Sequence, residues 1–145
     1  MSKSIKSIRE TILDILEADL TLIALLGNGA NGIHHVAPPK ALKPPAILYR
    51  ISNATNHEIA DPSGKVEKAI ELNFRVLGTN VAVLDDIVGR VEELLHLVNL
   101  SGAVWQIPCQ FVHVSTTEAW YPDRAEGQQP LIEQLSIFRF YAREL

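Results

Sequence analysis

A chain of 145 residues with 47% apolar and 21% charged residues has the composition of a soluble globular protein, which argues against long disordered segments. Its formal net charge of −4 gives no broad electrostatic attraction to nucleic acid or to an anionic membrane. The single cysteine, Cys109, excludes an intrachain disulfide and suits a reducing compartment. We find no secretory signal and no apolar run that could cross a bilayer. The length predicts one domain over residues 1–145.

The first part of the chain predicts two helices and a turn. Apolar residues recur at helical spacing over residues 5–16, and Asp19 suits the N-cap of a short helix over 20–26. Residues 27–32 then match the G-x-G-x-x-G pattern of dinucleotide sites. That pattern must follow a strand and open a helix, whereas here a helix precedes it and a short strand-like run, 33–36, follows. We therefore interpret it as a helix end and a turn.

The remainder predicts strands and one long amphipathic helix. In residues 70–77 the apolar side chains alternate with polar ones, which puts the apolar set on one face of a strand. Apolar residues at helical spacing over 81–98 predict the helix that covers that face. The predicted strands are 46–52, 66–77, 104–120 and 131–142, with a bulge where the apolar phase slips at 111–112. The prediction is an α+β fold: an antiparallel sheet of about four strands, with two main helices packed on one face.

Two polar segments between strands, residues 53–65 and 121–130, are predicted to be long, protruding hairpin loops. Long loops on a rigid sheet commonly carry binding, and aromatic residues and arginines are enriched in interfaces. The triplets Phe74-Arg75-Val76 and Phe138-Arg139-Phe140 also suggest two strands of one sheet with both arginines on the face away from the helices, the alternative being coincidence between two amphipathic strands. The candidate assembly residues are His57, Glu58, Asp61, Lys65, Trp120, Tyr121, Asp123, Arg124, Arg75 and Arg139.

Residues that match chemical motifs are better explained as structure. Glu93 and His96 have the Glu-x-x-His spacing of di-iron helix bundles, but such a site needs a second motif and further glutamates. His34 and His35 are neighbours in an extended run, so their side chains point to opposite sides. Cys109 follows a proline in an apolar strand, which favours a small core residue over a nucleophile. We predict no catalytic, cofactor-binding or metal-binding residues.

Short signatures occur in a distinctive order along nearly the whole chain. They are Glu17-Ala18-Asp19-Leu20, Leu22-Ile23-Ala24-Leu25-Leu26-Gly27, Pro45-Ala46-Ile47-Leu48-Tyr49, Leu72-Asn73-Phe74-Arg75-Val76 and Phe138-Arg139-Phe140-Tyr141. In this order they resemble the tail-completion, or tail-terminator, family of long-tailed bacteriophages. Members of that family cap the head-proximal end of the tail tube and join it to the head connector.

The resemblance implies a structural protein with no catalytic residues, built as a small α+β subunit of a six-fold ring. The implied partners are further copies of the chain, the tail tube protein, the head–tail connector protein and, in a contractile tail, the sheath. DNA would pass only as cargo, and no membrane is involved. The implied location is the neck of the virion, after assembly in the host cytoplasm. Two alternatives stay open: a neighbouring head–tail connector or minor tail protein, and a small soluble ligand-binding domain or enzyme.

Overall fold

The computed structural model describes residues 6–35, 43–57, 67–96, 100–101, 105–107, 112–121 and 131–144. The helical elements of these ranges are α1 (Lys6–Ala18), α2 (Leu20–Leu25), a 3₁₀ turn (Gly29–Gly32) and α3 (Val81–Leu95). The strands are β1 (Ile33–His35), β2 (Ala46–His57), β3 (Glu67–Gly78), β4 (Leu100–Ser101), β5 (Trp105–Ile107), β6 (Val112–Tyr121) and β7 (Leu131–Glu144). Within the described part of the chain, no helix has the length and apolarity needed to cross a membrane.

The strands form one sheet in the order β1-β2-β3-β7-β5-β4, and β6 also pairs with β7. The predicted α+β class is confirmed, but the sheet is mixed and has seven described strands instead of about four. One reason is that β1 adds to β2 in parallel, whereas every other described pairing is antiparallel. A second reason is that the predicted strand over 104–120 contains both β5 and β6, which pair with the edge of β7 that β3 leaves open. A third is that β4, where no strand was predicted, adds to β5.

The period-two pattern of β3 explains how the layers pack. Phe74 and Val76 are fully buried, and they belong to one core cluster with residues from all three described helices. The aromatic ring of Phe74 meets that of Phe138 on β7 edge-on, with centroids 5.6 Å apart, a favoured arrangement of aromatic pairs. The two predicted triplets therefore lie on neighbouring strands with their apolar residues under the helices, as expected.

Polar side chains cap the N-terminal ends of α2 and α3. Asp19 is the N-cap of α2, because its carboxylate accepts a hydrogen bond of 2.9 Å from the Leu22 backbone N–H. Asn80 caps α3 in the same way, accepting a bond of 3.0 Å from the Ala82 N–H. The helix ends at Leu95, so it is shorter than the predicted stretch over 81–98.

The glycine-rich segment serves as a structural turn. The Gly27 N–H donates to the Pro45 carbonyl over 2.8 Å, and a Cβ at position 27 would lie 2.4 Å from the Pro44 carbonyl oxygen. Only glycine permits this approach of the two chain segments. Because α2 precedes the turn and β1 follows it, the element order is the reverse of a dinucleotide site.

The predicted loop over 53–65 needs a correction. β2 continues to His57, which pairs with Glu67, so residues 53–57 are strand. Backbone pairing with β3 outweighs the polar sequence there, and a bulge at Ser52 absorbs one extra residue. The predicted bulge at 111–112 is not tested, because Phe111 lies outside the described residues; within β6 the register shifts between His113 and Ser115. Tyr121, predicted as the start of the second loop, ends β6. The remaining parts of the two predicted loops, residues 58–65 and 122–130, lie outside the described residues.

Candidate assembly surface

The sheet face away from the helices, here called the open face, carries ion pairs between β3 and β7. Glu67 and Arg143 are directly opposite in the register, and their side chains meet at 3.1 Å. Glu71 and Arg139 form the next pair, also opposite and also at 3.1 Å. Opposite charges on facing strand positions stabilise a sheet modestly when they are exposed.

A third pair lies further along the same face and has a tighter geometry. Arg75 reaches diagonally to Glu133 with two bonds, Nε to Oε1 at 3.0 Å and Nη2 to Oε2 at 2.7 Å. The Glu133 side chain is only 9% exposed, against 41% for Arg75. Beside this pair runs an open groove of about 360 Å³, whose lining includes Leu48, Arg50, Asn73 and Leu135. The bidentate pair fixes the guanidinium at the wall of this groove.

In each pair the arginine is more exposed than its carboxylate partner. The arginine side chains are 41–66% exposed, whereas those of their partners are 9–27% exposed. The hydrogen bond from Arg139, aided by the Ser52 hydroxyl at 3.0 Å, lowers the pKa of Glu71 below its ordinary value. The open face therefore presents guanidinium groups outward over carboxylates that are less exposed.

An exposed run of three alternate residues on β7, here called the β7 stripe, lies on this face. It consists of Arg139, Tyr141 and Arg143, which are 66%, 40% and 55% exposed. Their odd-numbered positions place all three on the open face. Tyrosine and arginine are the residue types most enriched at interface hot spots, so the stripe is a candidate contact surface.

The two hairpins leave the sheet from opposite ends. His57 and Glu67 flank the first connection, and Tyr121 and Leu131 flank the second. β3 pairs with β7 along its whole length, from Glu67 opposite Arg143 to Gly78 opposite Ile132. The first connection therefore starts at the Glu67 end of this pair of strands, and the second starts at the Ile132 end. Eleven strand steps separate them by about 36 Å.

The predicted assembly residues therefore divide into three groups. Arg75 and Arg139 share the open face, as predicted, and each is paired with a carboxylate. His57 ends β2 at one end of the sheet, whereas Trp120 and Tyr121 end β6 at the other. The remaining candidates lie outside the described residues; they are Glu58, Asp61, Lys65, Asp123 and Arg124.

Sequence reasoning missed the carboxylate partners Glu67, Glu71 and Glu133, and it missed the other two residues of the β7 stripe. The signal for the stripe was present, because Arg139, Tyr141 and Arg143 follow the period of two in a predicted strand. The carboxylates were also visible as alternate residues. Their pairing was not, since it depends on the register between strands distant in the sequence.

On the helix side, a second groove of about 360 Å³ runs between α3 and β6 and is here called the α3–β6 groove. Gln134 lies at its floor and donates to Asp85 at 2.7 Å and to Glu118 at 3.2 Å. The nearby Glu93 is occupied by Arg90 at 2.8 Å, which supports the interpretation of the Glu-x-x-His spacing as a solvated helix face. Among the described residues, no three His, Cys, Asp or Glu side chains are placed to hold a metal ion.

No protein-family model matches this sequence, and no curated protein matches it either. Among solved structures, a chain in the "Virion of native gene transfer agent (GTA) particle" matches with a TM-score of 0.71 and 14% sequence identity. The match covers 98% of this chain and 99% of that chain. The two chains therefore share one fold over essentially their whole lengths.

Proposed function

We propose that this chain is a structural protein of a phage-like virion, which ends growth of the tail tube and joins the tail to the head. The observation that carries the proposal is the end-to-end fold likeness to a chain of a gene transfer agent virion. Nearly complete coverage of both chains means that neither has a large extra domain relative to the other. The order of signatures that resembles the tail-terminator family points to the same role from the sequence.

The positions of the two hairpins support a protein that joins two different neighbouring proteins. A tail terminator contacts the tube on one side and the head connector on the other. Connections that start about 36 Å apart, at opposite ends of a rigid sheet, suit that arrangement. We propose a six-fold ring in which one hairpin end of each copy faces the tube and the other faces the connector. In a contractile tail, the sheath would also reach this ring.

The charge distribution supports a role in which DNA is only passing cargo. The three arginines paired across β3 and β7 are each neutralised by a glutamate, and the chain carries a net charge of −4. Affinity for DNA depends on unneutralised basic side chains, so such a subunit would let DNA pass without retaining it. The proposed location is the virion neck, after assembly in the host cytoplasm.

To test the proposal, the gene for this chain is deleted from the genome of the particle, and the products are examined by electron microscopy. We expect tails of irregular length and unjoined heads, and we expect the wild-type gene supplied in trans to restore normal particles. Tails of normal length that fail to join heads would instead indicate a neighbouring connector or minor tail protein. Normal particles in the deletion strain would contradict the proposal.

Shortening the two hairpins separately sharpens the test. Gly-Ser replaces residues 123–128 in one variant and residues 59–63 in the other, and thermal denaturation checks that each variant still folds. Because the hairpins start at opposite ends of the sheet, we expect two different defects: unterminated tubes from one variant and unjoined tails from the other. Full complementation by both variants would show that the hairpins make no essential contact.

A further inference from the structure

Arg9 on α1 carries a buried nitrogen that no described part of the chain satisfies. The Nε of its guanidinium is buried and has no hydrogen-bond partner among the described residues. A buried N–H without a partner is costly, more so when it belongs to a charged group, so it requires an explanation. Four other arginines each meet a carboxylate; they are Arg75, Arg90, Arg139 and Arg143. Arg9 differs from these in having a guanidinium that remains to be paired.

The helix that carries Arg9 supplies no negative partner for it. Side chains pair along a helix three or four positions apart, and positions 5, 6, 12 and 13 hold no acidic residue. Glu10 is adjacent in sequence and lies 3.9 Å from Lys6. Asp14 and Glu17 are five and eight positions further on, and eight positions correspond to about 12 Å along the helix axis. A partner for Arg9 therefore has to come from outside α1.

Two side chains that can donate hydrogen bonds, His35 and Tyr49, lie at the same corner of the sheet. They are directly opposite in the parallel register of β1 on β2, and their ring centroids are 5.3 Å apart. Tyr49 belongs to the core cluster, as does Ile33, two positions before His35, so both rings are on the sheet face that the helices cover. Ile8, the neighbour of Arg9, is part of that cluster too.

The charge of Arg9 acts on both rings. Burial lowers the pKa of His35, and the positive charge of Arg9 lowers it further. Burial raises the pKa of Tyr49, while Arg9 acts to lower it and Glu17 acts to raise it. At neutral pH both rings are therefore uncharged, and the corner has an excess of positive charge next to an unsatisfied N–H.

We propose that Arg9, His35 and Tyr49 form a binding site for an oxyanion, a carboxylate or phosphate group supplied from outside the subunit. A guanidinium N–H gives such a group a charge-assisted hydrogen bond, and arginine is the side chain best suited to bind it. The imidazole and the phenol add an N–H and an O–H donor. His35 is exposed, so the corner is open to solvent. This binding site goes beyond the proposed function, because it does not depend on a ring.

Sulfate is the probe, and NMR follows the pKa of His35 in the full-length chain, with sodium chloride of equal ionic strength as the reference. His35→Gln identifies the signal. We expect saturating sulfate to raise the pKa of His35 by about 1, because a nearby anion favours the imidazolium and offsets the charge of Arg9. Sulfate should also bind more tightly as the pH falls from about 8 to about 5, since protonated His35 adds a second positive charge.

Arg9→Met removes the charge and the donors but keeps an apolar side chain. We expect it to bind sulfate roughly ten- to a hundredfold more weakly than the wild type. Its melting temperature in chloride should not fall, because the substitution removes a buried N–H that has no described partner. Arg50→Met, at an exposed arginine of β2, is the matched control and should bind sulfate like the wild type.

Mass photometry with and without sulfate distinguishes two sources of the oxyanion. If a carboxylate of a second copy fills the site, sulfate should shift the wild type toward monomers, and Arg9→Met should associate weakly even in chloride. If the site takes a free anion, sulfate should raise the melting temperature of the wild type more than that of Arg9→Met and leave the oligomer size unchanged. Either result supports an oxyanion site.

Three outcomes would overturn the inference. They are a His35 pKa that is equal in sulfate and chloride, an equal rise of that pKa in the wild type and in Arg9→Met, and loss of sulfate binding in Arg50→Met, which would assign the binding to the open face. None of these results decides the proposed function, which the particle assay tests separately.

Discussion

The two faces of β3 differ in what holds them together. On one face, Phe74 and its alternate neighbours are sealed under three helices, with side chains 0–3% exposed. On the other, Glu71 and Arg75 pair with charged groups of β7 at the surface. Apolar burial supplies most of the stability of a fold, whereas exposed ion pairs supply little. Adjacent residues of one strand therefore belong to two layers: a buried apolar layer that stabilises the fold, and a charged surface layer that contributes little to stability.

The largest expected effect comes from breaking the covered face. Phe74→Ala removes a fully buried ring and its edge-to-face contact with Phe138, and we expect it to lower the free energy of unfolding by about 3–5 kcal/mol. Arg75→Ala, one position away on the open face, should cost only about 1 kcal/mol, because it removes an ion pair whose arginine side chain is 41% exposed. Urea denaturation measures both. Equal losses would show that the two faces do not differ as described.

A smaller effect is expected where α2 meets α3. Asp19 caps α2 and accepts bonds of 2.7 and 2.9 Å from Arg90, so Asp19→Ala should cost about 1–2 kcal/mol. Asp19→Asn retains a capping oxygen and should cost less. If the two variants were equally destabilised, the ionic contact with Arg90 and not the cap would be the main contribution of this residue.

The same contact predicts a pH dependence. The hydrogen bond from Arg90 lowers the pKa of Asp19 below the ordinary value of 3.8, so the folded state binds this proton less readily than the unfolded state. The stabilisation is complete above about pH 4 and decreases as the pH falls through the folded pKa. Asp19→Asn should therefore flatten the acid limb of stability measured between pH 5 and pH 2. If Asp19→Asn lost stability between pH 5 and pH 2 as steeply as the wild type, the Asp19–Arg90 contact would not be the cause of that loss.

The smallest effect on folding is expected on the β7 stripe. Arg139→Ala removes a pair whose arginine is 66% exposed, and we expect an unchanged denaturation midpoint. The pKa of Glu71, followed by NMR, should rise toward its ordinary value because the principal bond that lowers it is gone. A large loss of stability in this variant would show that the open face also holds the fold together.

Local periodicity explains how much of the fold was predictable. Alternation in β3 and helical spacing in α3 set the covered face, because each pattern lies within one short segment. The parallel addition of β1 and the continuation of β2 to His57 depend on pairing between distant segments. No composition rule contains that information, so these features were missed.

The candidate site was predictable to a similar extent. The shared face of Arg75 and Arg139 follows from their phase in two predicted strands. Their partners, Glu133 and Glu71, follow only from the register of β3 on β7. The opposite directions of the two hairpins also required the sheet order, because each hairpin is unremarkable by itself.

A cryo-EM reconstruction of the neck of the particle that encodes this chain tests the central claim most directly. We predict a six-membered ring between tail tube and head connector, with one hairpin end of each copy against the tube and the other against the connector. The helices should lie against the sheet of their own copy. A chain located elsewhere in the particle, or both hairpin ends on the same side of the ring, would contradict the account.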